Sequence, residues 1–431
     1  MKIIFTAIIL LMNVAYSQCP DLAEVNELWL KGEQLRIIKL LEGNIPRKAE
    51  CYQHWFLLGK SYDRMSNYAK ANEALYQAYE YNKLDLPLIM ALGRNYVLLG
   101  APNYSLLFFE QAIDLEPGNQ SILLELGNSY YEVRAFDKSA RVFSELLEQD
   151  STNAYYYKQL AQCYYKTRKW DEAIELLKKS FDINPRDANV AYQLSGLLVN
   201  QNEFEKAFEY IREGLVHNGQ HLQLNKLAAE TLFKMKHYDS ASNQYELIIS
   251  EGDSSALNYQ KLGFCYYFVE REVASKSPTK DSMLFVKSID AFSKAVQIDT
   301  TDALSMVYLG ICYKERGEFE LSISFLEKGI SLSSPGYLAD AYAQLGSSYD
   351  QNGKFTEAIK SYKKAQEYDH KKESLTFHLA AIYDRYYKDS SVPIMYYKKY
   401  LRESFDDDPA FREYAESRLD HLIERQHFEN K

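Results

Sequence analysis

The sequence predicts an all-α fold, a solenoid of repeated helical hairpins. Two observations predict it. A small residue that follows a leucine or alanine recurs every 34 residues through the first seven of ten repeats. Around each of these positions the pattern predicts two short amphipathic helices. In the stretch 154–186, for example, the two helices are joined by a tight turn at Arg168-Lys169. In this stretch Leu160 and Tyr164 are four residues apart and share one helical face.

The repeat is clear when its marker residues are set side by side. The small residues are Gly59, Gly93, Gly127, Ala161, Ser195, Ala229, Gly263, Gly310, Gly346 and Ala380. A tyrosine or leucine lies three residues beyond each of them, and a second small residue follows in nine copies. Helices approach closely where one side chain at their crossing is small, so this pattern is typical of tightly packed hairpins.

This small-large-small pattern resembles the tetratricopeptide repeat, and the match covers residues 52–405. The resemblance implies a right-handed α-solenoid of about ten hairpins, in which each copy buries its apolar face against its neighbours. The sequence departs from the family in two places. The closing proline of the repeat is kept only at Pro117 and Pro185, and Pro393 stands where the tenth copy should have a small residue.

The N-terminal residues 1–17 are predicted to be an export signal. Lys2 supplies a positive start, an apolar run follows, and Ala15 and Ser17 form a small-x-small cleavage pattern. Cleavage would leave Gln18 as the first residue of the mature chain. A lipid anchor on Cys19 is the alternative, although Gln18 fits that processing poorly. No later segment has the apolar length of a membrane span.

Three segments follow the predicted export signal. Residues 18–51 are predicted to be a degenerate helical pair that caps the array, 52–406 the repeats, and 407–431 a C-terminal capping helix and tail. The last helix should bury Phe411, Tyr414, Leu419, Leu422 and Ile423. An insertion at about 270–285 should lengthen both helices of copy seven, with an exposed loop at 275–282. The copies start at 52, 86, 120, 154, 188, 222, 256, 303, 339 and 373.

Composition and motifs argue against an enzyme and against a nucleic-acid partner. The formal net charge is −10, and no basic run is present. The sequence contains none of the common nucleotide, hydrolase or zinc motifs, so we expect no catalytic residue, no cofactor and no metal. His217 and His221 have helical spacing, but Asn218-Gly219 between them interrupts a helix.

Five cysteines are too few for a disulfide framework in a chain of this length. Cys163, Cys265 and Cys312 share one slot of the repeat, where other copies have serine or threonine, so we expect them in the core. Cys19 and Cys51 lie outside that slot. Whether they form a disulfide is open from the sequence.

The resemblance implies that the first helices of the copies line a concave groove. Carried over by position, the predicted partner-binding residues are Leu124, Tyr131, Tyr155, Lys158, Gln162, Tyr165, Lys166, Tyr192, Val199, Lys226, Phe233, Lys234, Phe264, Tyr267 and Phe268. Aromatic residues would supply anchors, and Lys158, Lys166, Lys226 and Lys234 would favour an acidic segment. Some of these aromatic side chains could instead pack only against adjacent repeats.

The predicted function is therefore a non-enzymatic adaptor outside the cytoplasm, periplasmic or secreted, that binds a peptide or helix of a partner protein. The alternative is an assembly part of a cell-envelope complex that uses its convex face, its caps or the insertion. An enzyme with a scattered site is the third hypothesis. The partner, the pathway and the oligomeric state are not readable from the sequence.

Overall fold

The computed structural model describes residues 19–274, 283–370, 372–403 and 409–429, and all regular elements in these ranges are helices. The predicted export signal and the predicted loop at 275–282 lie outside the described residues. The chain divides into two units, which meet in the sequence between Gln201 and Asn202. Each unit is a helical solenoid in which every helix packs against the helices next to it in the chain.

Unit one holds eleven helices in its described part. They are α1 Leu22–Leu30, α2 Gln34–Leu41, α3 Tyr52–Arg64, α4 Tyr68–Tyr81, α5 Leu86–Leu98, α6 Pro102–Leu115, α7 Gln120–Glu132, α8 Phe136–Gln149, α9 Ala154–Lys166, α10 Trp170–Ile183 and α11 Ala188–Asn200. A short 3-10 turn, Ala49–Cys51, precedes α3.

Unit two holds twelve helices in its described part. They are α12 Phe204–His217, α13 Leu222–Lys234, α14 Tyr238–Ser250, α15 Ala256–Ala274, α16 Met283–Ile298, α17 Ala303–Glu315, α18 Phe319–Leu332, α19 Pro335–Gln351, α20 Phe355–Tyr368, α21 Glu373–Tyr386, α22 Ser391–Glu403 and α23 Pro409–Glu429. Helices α15 and α16 are longer than their counterparts, at 19 and 16 residues, as the insertion predicts.

The first helices of copies two to six begin at residues 86, 120, 154, 188 and 222, and each of these five is preceded by a capping side chain. Asp85, Asn119, Asn153, Asp187 and His221 follow one another at intervals of 34 residues, and each side chain accepts a backbone N–H of the following helix. The ninth copy differs. Its first helix starts at Pro335, four residues before position 339, since proline is well suited to the first turn of a helix.

Among the described residues, the turn inside eight of the ten hairpins uses one residue in the left-handed conformation. Arg168 has φ 62°, and Lys169 N then donates to Tyr164 O at 2.9 Å. This backbone bond closes the end of α9 in the manner of a Schellman motif. The same conformation recurs at the turns of copies one, two, three, five, six, eight and nine, at Ser66, Gly100, Arg134, Asn202, Lys236, Gly317 and Gly353.

The marker glycines lie where two helices of one hairpin cross. A Cβ added at Gly93 would lie 2.5 Å from the Phe109 ring, and one added at Gly263 would lie 2.8 Å from the Phe292 ring. Both rings are fully buried. In these two hairpins, close packing therefore depends on the absence of a side chain at the crossing on the first helix.

The N-terminal helical pair is joined to the first copy by a disulfide between Cys19 and Cys51, whose Cα atoms are 5.6 Å apart. The other three cysteines are buried, as predicted. At the other end of the chain, the prediction for the last helix is wrong in part. Tyr414 and Ile423 are exposed, because α23 turns only the stripe that contains Ala415 and Leu422 toward the core.

Candidate partner-docking face

The first helices of copies four and five present tyrosines to solvent. Tyr155 and Tyr165 on α9 and Tyr192 on α11 are 38%, 45% and 38% exposed. Large aromatic side chains at the surface of a repeat array are candidate anchors for a partner, since tyrosine is enriched among residues that contribute most to binding. We therefore take this face of unit one as the candidate site.

Polar contacts between copies hold this face in place. The Tyr155 hydroxyl donates to Asn128 Oδ1 on α7 at 3.2 Å, and Lys158 Nζ lies 2.8 Å from Asp187 Oδ2. Asp187 also caps α11 by accepting backbone N–H groups. Burial acts to raise the pKa of Asp187, but the bonds from Lys158 and from the helix N–H groups outweigh burial and lower it.

The lysines of the predicted set are engaged to different degrees. Lys158 is paired with Asp187, and Lys226 pairs with Asp253 at 2.5 Å in unit two. Lys234 lies 3.2 Å from Glu230 on its own helix. Lys166 is exposed, with its ammonium 5.9 Å from the centre of the Tyr165 ring. Of these four side chains, Lys166 is therefore best placed to meet an acidic partner.

Two of the predicted aromatic residues in unit one pack on an aromatic residue of their own hairpin. Tyr131 meets Phe136 edge-to-face with ring centres 5.3 Å apart, and Tyr165 meets Trp170 at 5.1 Å. Both rings of the first pair are half-buried, whereas both rings of the second are exposed. The second pair thus leaves aromatic surface open to a partner.

The predicted set also contains residues that belong to the core. Val199 in unit one is 5% exposed, and Phe264 in unit two is 7% exposed. Burial removes these two from the candidate face. Leu124 on α7 and Gln162 on α9 are half-buried.

The aromatic residues predicted in unit two form a cluster among themselves. Phe233 packs against Phe264, and Phe268 stacks on Tyr238 at 4.7 Å. Tyr267 packs against Phe268, and burial raises the pKa of Tyr267. These side chains contribute more to the stability of their copies than to an open surface.

Sequence reasoning missed two residues that shape the site, Trp170 and Asp187. Trp170 lies five residues beyond Tyr165 and is the first residue of the second helix. The same offset of five residues separates Tyr131 from Phe136. Asp187 lies 29 residues beyond Lys158, and Asp253 lies 27 beyond Lys226. A search for aromatic and charged pairs across the turn and the copy boundary would have found both.

Among the residues that the structure describes, no group of three or more His, Cys, Asp and Glu side chains could hold a metal ion. His221 uses its ring nitrogen to cap α13. No helix in the described ranges combines the length and the apolar character of a membrane span.

Family models match three stretches of the chain. Tetratricopeptide-repeat models match residues 134–194 and 339–372. A model described as anaphase-promoting complex, cyclosome, subunit 3 matches residues 181–247. No curated protein matches the chain.

Solved structures with a similar arrangement of helices include YrrB, described as a TPR protein with an unusual peptide-binding site. It is 19% identical, with a TM-score of 0.40 over 48% of this chain and 98% of its own. The C-terminal part of a TPR repeat-containing protein from Cytophaga hutchinsonii is 16% identical, with a TM-score of 0.45 over 59% and 98%. PilF from Pseudomonas aeruginosa is 20% identical, with a TM-score of 0.40 over 49% and 96%.

Repeats of the matched family act as protein-interaction modules rather than as catalytic domains. The family models coincide with hairpins whose small residues, caps and turns recur in register along the described chain. The described part of the chain is a helical solenoid of tetratricopeptide repeats.

Proposed function

We propose that this protein is a non-enzymatic adaptor that binds a peptide or helical segment of a partner protein on the first-helix face of unit one. The observation that carries the proposal is the exposure of Tyr155, Tyr165 and Tyr192 on α9 and α11. The contacts of Tyr155 with Asn128 and of Lys158 with Asp187 support it, since they order the face before a partner arrives. A face that is already ordered loses less entropy on binding.

We further propose that the protein acts outside the cytoplasm. The charge, apolar run and cleavage pattern of residues 1–17 support export. The Cys19–Cys51 disulfide supports it as well, since disulfides persist mainly in oxidising compartments. That bond also engages the sulfur that a lipid anchor on Cys19 would need. Mass spectrometry of the protein from its native host should give a mature chain that begins at Gln18 and carries no lipid.

The adaptor proposal is tested by capture of partners from the native host. The full mature chain is immobilised as wild type, as Tyr155→Ala/Tyr192→Ala on first helices, and as Tyr76→Ala/Tyr104→Ala on second helices. All four tyrosines are exposed, so the two double variants remove similar surface. We expect proteins that wild type enriches to be lost from the first-helix variant and kept by the second-helix variant.

The opposite pattern would reject the proposal. Capture that is lost only with Tyr76→Ala/Tyr104→Ala would favour the alternative, an assembly part that uses its second helices. Capture that both variants retain would place the interaction elsewhere on the chain. Circular dichroism and thermal unfolding of each variant would show that the repeats still fold.

A further inference from the structure

An aromatic slot opens at the turn edge of copies four and five in unit one. It has a volume of about 280 Å³ and is lined by Tyr165, Trp170, Leu197, Asn200 and Gln201. Tyr165 and Trp170 are 45% and 40% exposed and meet edge-to-face, while Leu197 is buried. The slot thus has two aromatic walls, an aliphatic floor and two amide side chains at its rim.

The size of the slot indicates what it can hold. Sites for whole small molecules commonly have volumes of roughly 300–1,000 Å³ and enclose most of the ligand. This slot lies below that range and is open on one side, with both aromatic walls exposed. It is therefore suited to one anchoring side chain of a longer segment that runs across the surface.

Three cations lie on the turn that joins Tyr165 to Trp170, two of the residues that line the slot. Lys166, Arg168 and Lys169 are all exposed, and the Lys169 ammonium lies 5.1 Å from the centre of the Tyr164 ring. Within the described residues no carboxylate lies within 4.0 Å of these three cations. Asp171, the nearest acidic residue in the sequence, accepts a hydrogen bond from Gln201 at 2.8 Å.

This local charge is opposite to that of the chain, whose formal net charge is −10. Clustered cations attract a complementary segment and favour the encounter with it, whereas they repel a basic one. Stacking of an apolar side chain against tyrosine and tryptophan supplies the short-range part of the affinity. Both features lie on one turn, between Tyr165 and Trp170.

We propose that this slot docks an acidic segment of the partner protein. One aliphatic side chain of the segment enters the slot and packs against Tyr165, Trp170 and Leu197. The carboxylates of the segment lie beside Lys166, Arg168 and Lys169. The Asn200 amide is placed to bond the backbone of an extended segment. The proposal rests on the proposed adaptor function and names the chemical class of the partner.

The test uses the tryptophan of the slot as its own probe. The chain has three tryptophans, so Trp29→Phe/Trp55→Phe in the full mature chain leaves Trp170 alone. Three blocked heptapeptides are titrated: three glutamates on each side of a leucine, the same with alanine for leucine, and the same with lysines for the glutamates. We expect saturable change in emission with the first, and binding weaker by about tenfold or more with the other two.

The matched variants test the charges. Lys166→Glu/Arg168→Glu/Lys169→Glu should weaken binding of the first peptide by about tenfold or more, and added salt should weaken binding to the unaltered cluster. Lys360→Glu/Lys363→Glu/Lys398→Glu changes three exposed lysines of unit two by the same charge and should leave binding unchanged. Calorimetry with Trp170→Ala in the otherwise natural chain repeats the test without the phenylalanine substitutions.

Equal binding of the lysine peptide, or no binding of the glutamate–leucine peptide, would overturn the slot proposal. That failure is distinct from failure of the adaptor function. If the peptides do not bind but Tyr155→Ala/Tyr192→Ala still abolishes partner capture, the slot falls and the adaptor proposal stands. If Tyr155→Ala/Tyr192→Ala leaves partner capture unchanged while the peptide binds at the slot, the first-helix face is rejected as the docking site and the slot proposal stands.

Discussion

The Tyr130 hydroxyl on α7 donates a hydrogen bond to the Glu110 carboxylate on α6 at 2.7 Å, and so joins copy three to the second helix of copy two. Lys138 completes the arrangement, with its ammonium 5.1 Å from the centre of the Tyr130 ring. The same tyrosine position bonds a glutamate of the preceding copy in unit two, through Tyr266 with Glu246 and Tyr349 with Glu327.

The Tyr130–Glu110 bond predicts a loss of stability at high pH. Burial, followed by the bond to Glu110, raises the pKa of Tyr130 from 10.0 to about 12. A raised pKa means that the contribution is complete below pH 10 and is lost as pH rises toward 12. The Tyr130→Phe chain should therefore lose less stability than wild type between pH 10 and pH 12. In a titration followed by tyrosinate absorbance, one of the tyrosines that ionise late should be missing.

At neutral pH the same variant should lower the free energy of opening of α6 and α7 by about 1 kcal/mol, measured by hydrogen exchange. Tyr104→Phe is the control, since Tyr104 is exposed, and its effect should stay within about 0.5 kcal/mol. A Tyr130→Phe chain with unchanged exchange in both helices would contradict the prediction.

The ion pair between Lys158 and Asp187 predicts a loss at low pH. Because the pKa of Asp187 is lowered, its contribution is complete above about pH 4, the ordinary value for aspartate, and is lost as pH falls further. Lys158→Met should lower the free energy of opening at the start of α11, measured by hydrogen exchange, by about 1 kcal/mol at pH 7 and by less at acid pH. Lys166→Met should leave α11 unchanged, and equal effects of the two substitutions would refute the assignment.

Alanine should have opposite effects at a glycine that lies at a helix crossing and at a glycine that has open space around it. Gly93→Ala places a methyl group 2.5 Å from the Phe109 ring and should destabilise unit one by about 1–3 kcal/mol. Gly196→Ala, within α11, meets nothing within 4 Å and should stabilise it by about 0.5–1 kcal/mol, since alanine favours helix. Denaturant unfolding of both variants checks the pair, and the same sign for both would show that the crossing is not tight.

The disulfide predicts a local change at the N-terminal end. Cys19→Ser/Cys51→Ser should lower the stability of α1 and α2 by about 3–4 kcal/mol, because the bond closes a loop over a separation of 32 residues. Hydrogen exchange should rise in α1, α2 and the start of α3, while α9 keeps its protection. Faster exchange throughout unit one would show instead that the pair supports every copy.

Much of the fold is readable from the sequence because the repeat is local. Caps such as Asp187 and small residues such as Gly93 act within one hairpin, so a fixed spacing is enough to find them. The start of nine of the ten first helices agrees with that spacing. Pro335 shifts the ninth: α19 begins four residues before position 339 and is 17 residues long, against 13 for α17.

The site is less readable because its contacts cross copies. Whether Lys158 meets a partner or Asp187 depends on the distance between two neighbouring first helices, which one copy does not contain. Val199 shares its repeat position with Tyr165, yet one is buried and the other exposed. Position within a repeat therefore indicates the direction of a side chain but not what covers it. The groove set as a whole stays a prediction.

The left-handed turn at Arg168 sets a trade-off at the mouth of the slot. An arginine in this conformation costs roughly 1–2 kcal/mol relative to glycine, which Gly100 uses at the same point of its own hairpin. Glycine at position 168 would increase the stability of the hairpin but would remove one positive charge from the edge of the slot. Raising the thermal stability of this protein with glycine at its left-handed turn positions would thus weaken partner binding at Arg168. Ser66 bears no charge, so glycine at that turn would raise stability without this loss.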